Sequence, residues 1–171
     1  MITITPATSA DCAAVAQLWN AKTLDAGSCW YQAAAVDAPY VAGLLAAGYA
    51  IRVARVDGAP AGFGFWCGPA ASPRLIALAA DLEGVYYRLM AEFCAWGVGL
   101  GAARGFAEIG TRPTTEKARM DALEVITYTA IGYEPMAAEG PAGERVPKLL
   151  RAECDLSVLS RRLGEMPGGA P

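Results

Sequence analysis

Two alternating stretches, YAIRVARV over 49–56 and AGFGFW over 61–66, stand on either side of Asp57-Gly58. Each puts every second side chain on one face, the period of a half-buried strand, and Asp-Gly is the pair that a tight hairpin turn with positive φ selects. An antiparallel hairpin is therefore set early in the chain. The remaining elements have to cover its apolar face.

The segment ITITP over 2–6 alternates like a short strand, and TSAD over 8–11 opens a helix with a capping-box pattern in which Asp11 stands at N3. Cys12, Val15, Ala16 and Trp19 then recur at helical spacing up to about Asn20. DAGS over 25–28 interrupts, and an alanine-rich helix is expected over 31–47, ended by Gly48. After the hairpin, GPAASP over 68–73 breaks the chain before a third extended run over 74–80. Val85, Leu89, Phe93 and Trp96 make the buried stripe of a helix starting near Gly84 and ending within the glycine-rich 97–105. FAEI over 106–109 reads as a short strand. Ala118, Ala122, Val125, Ile126 and Thr129 predict a helix over 115–131, with Gly132 as its left-handed cap. Segments 133–138 and 145–156 form a last strand pair about GPAG at 140–143. The order is β-α-α-β-β-β-α-β-α-β-β, in one domain over 1–163, with 164–171 as a disordered tail too rich in Gly and Pro to pack.

Composition removes several kinds of chemistry. Histidine is absent, so histidine triads, histidine bases and most transition-metal sites are excluded. Cys12, Cys29, Cys67, Cys94 and Cys154 are odd in number, scattered and never in a C-x-x-C pair, which suggests neither a disulfide framework nor a zinc site. A net charge of −3 with dispersed basic residues leaves no nucleic-acid footprint and suits a cationic amine. No apolar run approaches the roughly 20 residues of a membrane span, and ITITP carries no basic leader, so the expected location is the cytoplasm with no membrane partner.

YTAIGYEP over 128–135 places a phenol one turn before the expected helix end and stops that helix on a glycine. The pattern Y-x-x-x-G-[FY] running into a strand resembles the last core helix of the GCN5-related N-acetyltransferases. The element order and the opening ITITPATSADCAAVAQLWN are similar to that family too, over nearly the whole chain to about Cys154. The resemblance implies an α/β (α+β) fold with a mixed central sheet of about seven strands and four main helices. It implies acetyl-CoA as co-substrate and no metal. The pantetheine arm would lie between splayed fourth and fifth strands on backbone groups of Ile76, Ala77 and Leu78, with Tyr128 as the acid for the departing thiolate. The diphosphate would sit on amides of a loop, [RQ]-x-x-G-x-[GA], that falls on DLEGVY over 81–86. Of that pattern only Gly84 survives; Val85 keeps its place, Asp81 stands for the basic or amide residue, Tyr86 for the second glycine, and Glu83 adds negative charge. Arg88 is the cation that could approach the phosphates, and Asp121 falls near a cofactor-contacting asparagine of many relatives.

The base is not implied by the family. Glu108 on the fifth strand is the candidate, against a solvated strand carboxylate as the plainer reading. Arg112 follows that strand and either contacts a ligand or is solvated. Trp30, Tyr31 and Tyr40 either line an acceptor pocket or pack the first two helices. The cluster GVGLGAARG over 97–105 mimics a phosphate loop but lacks a preceding strand and a GK[ST] ending, and reads as a helix end plus connector. The expected reaction is acetyl transfer to an amine of a small molecule or protein by direct attack, with a homodimer left open. The alternatives are a same-fold module that does not bind CoA, and acyl transfer from another donor or to a nucleobase.

Overall fold

The computed structural model describes residues 1–23, 35–69, 71–110, 129–135 and 148–165. Strands β1 (Ile2–Pro6), β2 (Ala50–Val56), β3 (Ala59–Cys67), β4 (Arg74–Ala80), β5 (Arg104–Gly110), β6 (Thr129–Pro135) and β7 (Lys148–Asp155) form one 7-stranded sheet in the order β1-β2-β3-β4-β5-β7-β6. Helices α1 (Cys12–Thr23), α2 (Ala38–Ala46), α3 (Glu83–Gly99) and α4 (Leu156–Gly164) cover it. Only β4 and β5 pair in parallel, so the sheet is mixed as expected. Asp57 and Gly58 both take positive φ, 50° and 89°, which matches the turn to the twist of β2 and β3.

Two apolar layers result. Val15 of α1 and Val41 of α2 pack on Ile51, Val53, Phe63 and Phe65 on one face of the sheet. On the other, Val85, Leu89 and Phe93 of α3 and Leu156, Leu159 and Leu163 of α4 pack on Trp66, Leu75 and Leu78. The capping box holds as read: the Thr8 N–H donates to Asp11 Oδ2 at 2.8 Å, and a 3-10 turn Ser9–Asp11 leads into α1.

Three elements differ from expectation. The second helix begins at Ala38, not near 31: Asp37 is extended and accepts from the Tyr40 N–H, and Pro39 cannot sit inside a helix that started earlier. Ahead of it, the Asn20 side chain donates to the Val36 carbonyl at 2.8 Å and accepts from the Val36 N–H at 2.9 Å, pinning the chain to α1. Residues 31–34 of the expected helix lie outside the described residues.

The helix expected over 115–131 does not reach Ile131. Thr129–Pro135 is strand β6, and Gly132 pairs with Arg151 instead of capping a helix. Thr129, Ile131 and Tyr133 are residue types that suit a strand, and β7 supplies the ladder from Thr129↔Glu153 to Pro135↔Lys148, with a register shift that leaves Ile131 without an opposite residue; a long-range partner outweighs local helical spacing. The rest of that helix lies outside the described residues, as does the turn at 140–143. Of the final pair, the described parts are β6 to Pro135 and β7 from Lys148.

The third difference is α4, which the sequence pattern did not predict. Asp155 caps it by accepting from the N–H groups of Ser157 and Val158. The tail over 166–171 lies outside the described residues. Gly97 and Gly105 belong to this contact: a Cβ on either would come within 2.8 or 2.7 Å of Leu156. The glycine cluster is thus a helix end to Gly99 and a connector turning at Gly101, φ 81°, as read.

Candidate active site

β4 and β5 pair only at Arg74↔Phe106 and Leu75↔Ala107, with the Phe106 N–H donating to the Pro73 carbonyl at 2.9 Å. From Ile76 onward β4 has no ladder with β5, whose other edge is paired with β7 from Arg104↔Asp155 to Gly110↔Leu149. The sheet therefore opens into a V whose branch lies at Leu75 and Ala107.

A bulge accounts for the bend. Phe65 pairs with Ala77 and Trp66 with Leu75, so Ile76 has no opposite residue on β3. One extra residue on a strand increases its twist and re-aims the residues beyond it. Ile76 and Ala77 consequently both lie on the α1/α2 face, while Leu75 and Leu78 lie on the α3 face. Beside the bulge, the Trp66 ring folds back over Gly64, where a Cβ would lie 2.4 Å from the ring. A strand edge without a neighbour presents N–H and C=O groups that an extended, amide-bearing chain can pair with. The edge of β4 beyond Leu75 is such a strip, and it contains the expected Ile76, Ala77 and Leu78.

At the mouth of the V, the Asp81 N–H donates to the Ala61 carbonyl at 2.9 Å and Leu82 becomes the N-cap of α3 without a side-chain cap bond. The Leu82 carbonyl accepts from the Val85 and Tyr86 N–H groups, both at 3.1 Å. The first-turn amides of Glu83 and Gly84 have no carbonyl a turn earlier to donate to. A Cβ at Gly84 would meet nothing within 4 Å, so that approach is open. Glu83 Oε1 accepts from the Tyr87 hydroxyl at 2.6 Å. That bond, with burial behind it, pushes the Tyr87 phenol up to about 12. Arg88 does not turn toward the mouth: its Nη1 donates to the Ile2 carbonyl of β1 at 3.4 Å.

Glu108 lies on β5 one residue past the branch, opposite Arg151 of β7. Tyr128, Asp121, Arg112, Trp30 and Tyr31 lie outside the described residues. Tyr128 immediately precedes β6, whose Thr129 shares a row across the sheet with Glu153, Phe106 and Arg74. The residue after Tyr128 is therefore level with the branch and two strands from β5, about 10 Å. Tyr40 is 51% exposed, its ring edge-on to Trp19 at 6.2 Å. Trp19 in turn stacks on Phe63 at 5.4 Å. Tyr40 is thus the exposed end of an aromatic row that also packs helices. A pocket of about 350 Å³ opens among Ala47, Gly48, Tyr49, Cys67 and Gly68, level with the branch because Cys67 pairs with Arg74.

The bulge was the feature sequence reasoning missed. Its signal was present in GFGFW, since glycines at alternate strand positions mark a bulge or a close approach. Among the described residues no cluster of His, Cys, Asp and Glu could hold a metal, and no helix is long and apolar enough to cross a membrane.

No family model matches the sequence, and no curated protein matches it. Solved structures do match its fold. yncA from Salmonella typhimurium, classed as an acetyltransferase and solved with acetyl-CoA, superposes with a TM-score of 0.67 at 19% identity over 91% of this chain and 94% of its own. A ribosomal-protein-alanine N-acetyltransferase from Brucella melitensis gives 0.64 at 18%, over 90% and 99%. A GCN5-related N-acetyltransferase from Rhodopseudomonas palustris gives 0.67 at 17%, over 90% and 94%. The chain has the fold of the GCN5-related N-acetyltransferases.

Proposed function

We propose that the protein is an N-acetyltransferase that moves an acetyl group from acetyl-CoA to an amine of a small molecule or a protein by direct attack. The observation that carries this reading is the unpaired edge of β4 from Ile76, opened by the bulge and by the early parting of β5. Similar folds solved with acetyl-CoA, or named for alanine N-acetylation, support it.

The attacking nitrogen forms a bond to the thioester carbonyl carbon, the carbon–sulfur bond breaks, the nitrogen gives up a proton and the thiolate takes one. Backbone groups of Ile76, Ala77 and Leu78 that face the open edge would hold the pantetheine arm, and an N–H among them the carbonyl oxygen as negative charge grows on it. The Tyr128 hydroxyl would supply the thiolate's proton, and Glu108, directly or through water, would accept the amine's. Asp121 would border the donor arm, and Trp30, Tyr31 and Tyr40 the acceptor. The β4 edge fits the two amides of a pantetheine arm. The α3 start fits a diphosphate less well, because Glu83 stands in its first turn.

Thermal melting tests the reading without knowledge of the acceptor. Acetyl-CoA at a thousand times its dissociation constant stabilises a folded state that binds it by about 4 kcal/mol. For a chain of this size that raises Tm by roughly 8–16 °C. An unchanged Tm at millimolar acetyl-CoA sinks the proposal in favour of a same-fold module without the cofactor.

A further inference from the structure

We infer that this protein recognises its donor by the pantetheine arm and not by the diphosphate, so that a thioester lacking the nucleotide end serves it about as well as acetyl-CoA. The inference rests on the acetyl-transfer reading and names the part of the donor that the site reads.

Three observations at the β4–α3 turn carry it. A diphosphate on the first-turn amides of α3 would lie beside the Glu83 carboxylate, which the Tyr87 hydroxyl holds in place at 2.6 Å. The positive end of the helix already has its anion there. The first cation along α3, Arg88, is committed elsewhere: its Nη1 contacts the Ile2 carbonyl on β1, at the edge of the sheet. At the N-cap itself stands Leu82, 53% exposed, where a polar or basic side chain would help an anion. Nothing blocks the turn sterically, since the space at Gly84 is open, so the disfavour is one of charge and should respond to salt. On the other side of the balance, the β4 edge beyond Leu75 offers backbone partners to the arm's amides and asks nothing of its phosphates.

Calorimetry on the full chain with CoA and with pantetheine tests this. The expected dissociation constants agree within about 30-fold, whereas a site making several charge-assisted bonds to a diphosphate would separate them by well over 100-fold. Glu83→Gln keeps an acceptor for Tyr87 and removes the charge. It should tighten CoA by roughly 3- to 10-fold at low salt, should lose that gain at high salt, and should leave pantetheine where it was. CoA binding more than about 100-fold tighter than pantetheine, or unmoved by Glu83→Gln at low salt, overturns the inference and leaves acetyl transfer standing. If neither thiol binds at millimolar concentration, the acetyl-transfer reading falls and takes the inference with it.

Discussion

A phenol that gives up its proton only as negative charge builds on sulfur can be deleted without weakening the ground-state complex. Tyr128→Phe should therefore leave Tm and acetyl-CoA affinity near those of the parent while turnover falls by roughly 10²-fold, the usual size of a lost general acid. Parent-rate turnover removes Tyr128 from the chemistry, and an unfolded variant marks its hydroxyl as a buried structural bond. Gly64 tests the bulge instead. A Cβ there would lie 2.4 Å from the fully buried Trp66 ring, so Gly64→Ala should cost about 1–3 kcal/mol in urea unfolding. Gly84→Ala, with nothing within 4 Å, should cost nothing measurable. Equal losses at both positions would mean that close packing on Trp66 is not what selects glycine at 64. The sequence made both glycines visible but could not separate them. One meets a ring from its own strand and the other faces open space, and only coordinates distinguish these.

At the scale of elements, the local patterns that succeeded were those with no long-range competitor. Asp57-Gly58, the Thr8–Asp11 box and the α3 stripe each carry their own hydrogen bonds or turn geometry, and each stands where the sequence put it. Where a distant partner decides, the sequence was silent or wrong. Thr129 and Ala130 join a ladder with β7, and the register slip beside which β4 parts from β5 is hinted at by the glycines of GFGFW but not located by them. Helix α4 was missed because its stripe is only three leucines long and needs α3 to make it worth forming. Its cap gives a pH test. The Ser157 hydroxyl first, then the Val158 and Ser157 amides, hold the Asp155 carboxyl below its ordinary value. A depressed carboxyl stabilises the fold above its unfolded value and loses that hold as pH falls through the folded one. Asp155→Ala should thus be less stable than the parent at pH 7, and the difference should shrink toward pH 3. A gap in urea midpoint that stays constant between those pH values would show the cap bonds to be independent of charge.

For the whole molecule, the absence of histidine matters more than the small net charge. With no imidazole to titrate, stability between about pH 5.5 and 7.5 should be nearly flat, and change should appear only at the two ends. Among the described residues the acid end has Asp155 and Asp11, which the Thr8 N–H and hydroxyl and the Arg55 guanidinium hold below the ordinary range. At the alkaline end the described residues contribute two raised groups on α3. Burial, with Cys154 nearby, pushes the Cys94 thiol from 9.0 up to about 12, and Tyr87 rises from 10.0 to about 12 on Glu83. In both, the folded state keeps a proton that the unfolded chain has already lost. Stability must then fall as pH rises from about 9 toward 12, with Cys94 acting before Tyr87 and contributing up to about 1.4 kcal/mol per pH unit. Cys94→Ala opens a small cavity and lowers the whole curve, but it removes the first titration, so its alkaline limb should begin a pH unit later than the parent's. Urea midpoints taken every half unit from pH 5 to 11 separate the slope from the offset. Parallel alkaline limbs in parent and variant would show that Cys94 does not keep its proton through burial, and a step between pH 6 and 7 would reveal a carboxylate raised into the range where this chain has no other side chain to titrate.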